Sequence, residues 1–276
     1  MENKILLETI DKLYETLGDD IDNITLERVV FGLFFTGVKL SNGKGGLSYT
    51  PLKALSGAVC CPSSAAAMPA SGKLAGKNVK HFLDDMFSGS ALKKTLGIAV
   101  INALATTCWS KGKQDKSYVI EKNLDPIDKI EIGENTHTVV VGALIPYIKM
   151  LIKNNRDFSI LELDPTTLKP NELKYHVPSE RASEVVSIAD YLIITGTTLI
   201  NDTLEGLLEI AKPGAKIIVV GPTVSMMPEA FFRRKVTYVG GVEVTDPDKL
   251  LDIISEAGSG YHFFGKYAEK IVISEK

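Results

Sequence analysis

Residues 189–201 read ADYLIITGTTLIN, and this stretch decides the fold. Residues 190–194 read as a short strand whose apolar run predicts burial on both faces. Such strands belong to parallel sheets covered by helices. Thr195, Gly196, Thr197 and Thr198 form a hydroxyl- and glycine-rich turn, and Asn201 lies just inside the helix expected after it. A strand that ends in such a turn and re-enters as a helix places amides and hydroxyls at the edge where open α/β sheets bind ligands.

Two further turns have the same form. Gly221, Pro222 and Thr223 follow the apolar strand expected at 216–220, and Gly142 to Pro146 follow the one expected at 138–141. The three turns predict one pocket. Glu162 and Asp164 end the strand expected at 159–163, where a dinucleotide-binding sheet keeps its ribose-binding acid. The first turn has one glycine where a G-x-G-x-x-G fingerprint has three, which argues against a tightly held pyrophosphate.

Outward from these turns, residues 136–276 alternate strand and helix, the pattern of a Rossmann-like α/β domain. Helices are expected at 145–153, 179–188, 199–211, 228–233 and 247–256, and a last strand at 237–239. Residues 1–112 differ. An amphipathic helix at 3–17 precedes extended segments at 24–34, 37–40 and 47–50. Two helices follow, at 78–86 and 90–107, which makes a smaller α+β domain. The loop SNGKGG (41–46) reads as a hairpin turn through its Asn-Gly pair. It is also a candidate to reach an interdomain cleft with Asn42 and Lys44 as donors. Residues 113–135, polar and charged, are expected to connect the two domains.

The 276 residues carry a formal charge of −3, 45% hydrophobic and 24% charged residues. No basic field is present to hold nucleic acid. No apolar run approaches the roughly 20 residues that span a bilayer. The acidic, amphipathic N-terminus lacks the layout of a signal peptide, so a cytoplasmic location is expected. The three cysteines include the adjacent pair Cys60 and Cys61, which lacks the C-x-x-C spacing of structural zinc sites. A transition metal remains a candidate cofactor, with Cys60, Cys61 and His176 as weak ligands. The expected partner is a small molecule or a metal chelate, with neither nucleic acid nor membrane; a homo-oligomer is allowed.

The segments VVVGALIPYI (139–148), ADYLIITGTTLINDTLEGLL (189–208), GPTVSMMPEAFF (221–232) and GGVEVTDPDKLLDII (240–254) together resemble a two-domain bacterial and archaeal family. Its label is "putative heavy-metal chelation". FFTGVKLSNGKGGLSYT (34–50) is similar to its usual N-terminal partner. The resemblance implies an enolase-N-terminal-like domain packed on a Rossmann-like domain, with a cleft between them. It also implies handling of a heavy metal, or of a tetrapyrrole-like or other small anionic chelator. In a chelatase-like reaction Glu162, His176 and the cysteine pair are candidates for the base or metal ligand. Two other readings stay open: a nucleotide or S-adenosylmethionine-type cofactor binder, and a non-catalytic carrier or regulator linked to metal transport.

Overall fold

The computed structural model describes residues 3–55, 70–113 and 115–276. Helix α1 (Lys4–Leu17) starts where the Asn3 side chain accepts from the Leu6 N–H, an N-cap that satisfies an otherwise orphan donor. Its apolar stripe buries Ile5, Leu6, Ile10, Leu13 and Leu17. Strands β1 (Leu26–Phe31), β2 (Phe35–Leu40) and β3 (Gly45–Tyr49) form an antiparallel three-stranded sheet. Helices α2 (Val79–Asp85) and α3 (Ala91–Ser110) follow.

In α3 every residue from Thr95 to Cys108 is buried. A helix apolar all round belongs inside a core, and here it runs between the small sheet, α1 and α2. Its contact with β3 depends on Gly46, where a Cβ would strike the backbone of Ala99 and Ala103. Among the described residues no helix is long and apolar enough to cross a membrane.

The second sheet has eight strands. They are β4 (Tyr118–Lys122), β5 (His137–Val141), β6 (Asp157–Leu161), β7 (His176–Val177), β8 (Tyr191–Thr195), β9 (Lys216–Val220), β10 (Val236–Val244) and β11 (Ala268–Glu275). Their spatial order is β4-β11-β10-β9-β8-β5-β6-β7. From β7 to β10 every neighbour pair is parallel; β11 and β4 add an antiparallel extension. The helices between and beyond them are α4 (Ile145–Lys153), α5 (Ala182–Val186), α6 (Leu204–Glu209), α7 (Glu229–Phe232), α8 (Pro247–Ser255) and α9 (Gly260–Phe263). The expected α/β class, with a smaller antiparallel unit ahead of a large mostly parallel sheet, is what the chain adopts.

Two details differ from the sequence reading. Residues 113–135 do more than connect, because β4 is the edge strand of the large sheet and pairs with β11. The two units also share a core. Ile5, Leu6, Leu96 and Ile101 belong to the same buried cluster as Leu192, Val219 and Phe231. Each such side chain removed from water contributes on the order of 1.5–3 kcal/mol, so this shared cluster is a large fraction of what holds the units together.

Candidate functional site

In chain order the parallel strands run 3-2-1-4-5-6 across the sheet, with β5 as the first. That order reverses direction between β5 and β8, and ligands bind doubly wound sheets in the crevice at this switch point. A cleft of about 380 Å³ lies there. Its described lining includes Gly142 after β5, Glu162 after β6, Thr195, Thr197, Thr198 and Asn201 after β8, and Gly206 and Leu207 on α6. All of it comes from residues 141–210, so the cleft lies within the larger unit. The cleft expected between the two units is not formed by the small sheet.

Among the described residues the small unit reaches the rim alone. Lys53 pairs with Asp164, and Lys94 of α3 pairs with Asp202 at 2.5 Å. The Asn3 side chain donates to the same Asp202 at 3.0 Å. Asp202 takes a left-handed conformation, φ 60°, which ends the 3-10 turn after β8 and redirects the chain into α6.

Glu162 is the distinctive group of the cleft. Burial pushes its carboxyl above the usual range, outweighing the N–H groups of Ala143 and Leu163 and the nearby Lys53. The Asp164 N–H also donates to it, at 2.9 Å. Among the described residues no cation lies within ion-pairing distance of it. A carboxylate offers about four acceptor sites, so capacity remains for a ligand hydroxyl.

The three hydroxyls of the β8 turn face the cleft but work largely within the turn. Thr195 Oγ1 accepts from the Thr197 N–H at 3.5 Å and from the Thr197 hydroxyl at 3.3 Å. Thr198 Oγ1 donates to the Thr195 carbonyl at 2.7 Å. Gly196 is buried behind the turn, where a Cβ would lie 2.9 Å from Val224. Gly142 has φ 93°, and a Cβ there would lie 2.6 Å from Thr195 Cγ2. Glycine is therefore required at 142 by both conformation and space.

Among the described residues the three turns line different pockets. Pro146, Gly221 and Pro222 line a second cavity, of about 200 Å³, against the α4 face of the sheet. Thr223 is buried; its hydroxyl accepts from the Tyr49 N–H at 3.1 Å, which docks β3 onto the large sheet. Asn42 and Lys44 sit at the hairpin tip. There the Asn42 side chain donates to Thr107 and accepts from the Lys44 N–H. Thr107 is thirteen residues along α3 from Lys94, about 20 Å at the helical rise, so the tip is remote from the cleft. Its Asn-Gly pair makes the turn, and Asn42 anchors it to α3.

The metal candidates do not converge. His176 Nε2 lies 2.9 Å from the Glu162 carbonyl, held to the backbone rather than beside the carboxylate. Asp164 is tied to Lys53. Cys60 and Cys61 lie outside the described residues. Among the described residues no group of three or more His, Cys, Asp or Glu could hold a metal ion. The described donor set therefore does not fit a protein-borne metal centre, since common structural zinc sites need four ligands and catalytic ones three.

Sequence reasoning missed Asp202, Gly206 and the apolar wall of Leu207 and Ile210. The Asn-Asp pair at 201–202 is a turn signal inside an expected helix and marks the break that exposes them.

The strand order defines a doubly wound α/β protein with a cleft at its switch point. The chain belongs to the DUF364 family, described as "Putative heavy-metal chelation", whose model matches residues 125–273. A second model of the same description, DUF4213, matches residues 14–105. The chain is 32% identical over 193 residues to an uncharacterized protein of Methanocaldococcus jannaschii, across 68% of this chain and 69% of that one. It is similar to a DUF364-family crystal structure of unknown function from Pyrococcus horikoshii. That match has a TM-score of 0.75 and 20% identity and covers 98% of this chain and 99% of the other. A second such structure, from Desulfitobacterium hafniense, has a TM-score of 0.65 and 19% identity, with coverage of 96% and 99%. At these identities the two structures show the fold.

Proposed function

We propose that the protein binds a small nucleoside-bearing ligand in the switch-point cleft. The carrying observation is Glu162: an unpaired, half-buried carboxylate at the end of the second parallel strand, lining a cleft with apolar walls. A ribose hydroxyl donates to such a carboxylate in doubly wound sheets, and a base would pack between Leu163, Leu207 and Ile210. Apolar walls with convergent polar groups are the usual composition of a small-molecule site. The metal handling in the family description is compatible with this reading through the ligand: a chelating organic molecule would bring its metal with it.

The test is thermal unfolding of the full chain with adenosine, guanosine, a tetrapyrrole and divalent metal ions, each titrated separately. A nucleoside should raise the melting temperature in proportion to the logarithm of its concentration, and Glu162→Ala should weaken that rise. A shift with metal ions or tetrapyrrole but with neither nucleoside would overturn the proposal.

A further inference from the structure

We propose that the cleft selects nucleosides with no phosphate and with a positively charged substituent, the sulfonium nucleosides being the class that fits. This rests on the nucleoside reading above and narrows it.

The argument begins with the amides at the start of α4. A phosphate bound at the first strand-to-helix turn of a parallel sheet needs free N–H groups there. Among the described residues, the N–H groups from 142 to 145 are all directed elsewhere. The Gly142 N–H donates to the Leu161 carbonyl at 2.8 Å. The Ala143 N–H is directed at the Glu162 carboxylate. The Leu144 N–H donates to the Gly142 carbonyl at 2.8 Å and the Ile145 N–H to the Ala143 carbonyl at 2.9 Å. Pro146 has no N–H to give. The turn that cradles a pyrophosphate elsewhere is here closed upon itself.

Charge points the same way. Among the described residues no lysine or arginine lines the cleft, while Glu162 and Asp202 do. The two lysines at the rim are each taken by a carboxylate, Lys53 by Asp164 and Lys94 by Asp202. Among the described residues Glu162 forms no ion pair of its own, and Lys53, which acts on it from the rim, is engaged by Asp164. A phosphate would meet an unpaired carboxylate with no compensating cation, whereas a sulfonium would supply the missing positive charge.

The experiment is calorimetric titration of the full chain with S-adenosylmethionine, adenosine, AMP and NAD under one buffer of low ionic strength. S-adenosylmethionine should bind at least about tenfold more tightly than AMP or NAD, with adenosine between them. Glu162→Gln keeps the shape of the side chain and removes its charge, so it should shrink the gap between S-adenosylmethionine and AMP to under about threefold. An unchanged melting temperature for that variant makes the comparison fair; Glu162→Asp, which restores the charge, should restore the preference. AMP or NAD binding as tightly as S-adenosylmethionine would overturn the inference and leave the nucleoside site standing. Binding of none of the four would overturn the nucleoside reading and this inference with it.

Discussion

The side-chain amide of Asn102, in the middle of α3, donates to the Thr223 carbonyl 3.2 Å away. The same nitrogen lies 3.1 Å from the Pro222 carbonyl and 2.6 Å from that of Leu47. One buried side chain thus ties the turn after β9 to β3 of the small sheet. Asn102→Ala removes the buried side-chain donor to the Thr223 and Leu47 carbonyls, while Pro222 keeps the Ser225 hydroxyl, and should cost about 1–3 kcal/mol. Denaturant unfolding followed by Trp109, the only tryptophan, reads this directly. A loss under about 0.5 kcal/mol would mean that the turn docks by packing alone.

Gly206 lies inside α6 and lines the cleft, with nothing within 4 Å of a Cβ added there. Gly206→Ala should stabilise the fold by about 0.5–1 kcal/mol, the helix preference of alanine over glycine. Gly206→Leu should extend into the cleft and abolish nucleoside binding at an unchanged melting temperature. Normal binding by the leucine variant would place the ligand elsewhere.

Glu8 of α1 accepts from Arg234 at 2.7 Å and also contacts Arg233, both beside α7. The Arg234 guanidinium, opposed by partial burial and aided by Arg233, lowers the Glu8 carboxyl from 4.5 to about 2. A lowered acid stabilises the fold above its unfolded value and loses that contribution as pH falls through the folded one. Glu8→Gln should therefore cost about 1 kcal/mol at pH 7, after allowance for solvent screening. The difference from the parent should close as pH falls from 4.5 towards 2. Chemical denaturation at pH 7, 4 and 2.5 checks it; a constant difference across that range would assign the loss to packing.

Cys108 is fully buried in α3, and burial pushes its thiol up to about 12. The thiolate is the reactive species. With Cys60 and Cys61 replaced by serine, Cys108 should resist iodoacetamide at pH 8 in the native protein and react fully in denaturant. Rapid native labelling would show that α3 opens far more readily than its burial implies.

What the sequence made legible were the elements with local signals. LIIT and IIVV are apolar runs, and they lie in β8 and β9. The Pro146 signal starts α4 on the expected residue. The strands β4, β7 and β11 escaped for different reasons. β4 is a half-exposed edge strand whose partner lies some 150 residues on, and β7 is two residues long. A helix was expected across 199–211, but the helical period alone could not show that Asp202 breaks it. The hydroxyls of Thr195 and Thr198 read as ligand donors because sequence does not reveal how far a polar side chain serves its own backbone. The separation of Gly221 from Gly142 is a matter of which face of the sheet a turn leaves, and only the three-dimensional path decides that.

The position of β11 between β10 and β4 fixes an order of events during synthesis. β4 leaves the ribosome early, yet its only sheet neighbour, β11, is made last. Through the translation of some 150 residues β4 has no ladder to join, and its backbone donors and acceptors stay in water. Every parallel pair from β5 to β10 can form before it does. The large sheet is therefore closed by its final strand, and a chain lacking residues 268–275 would keep its parallel pairs but expose the β10 edge.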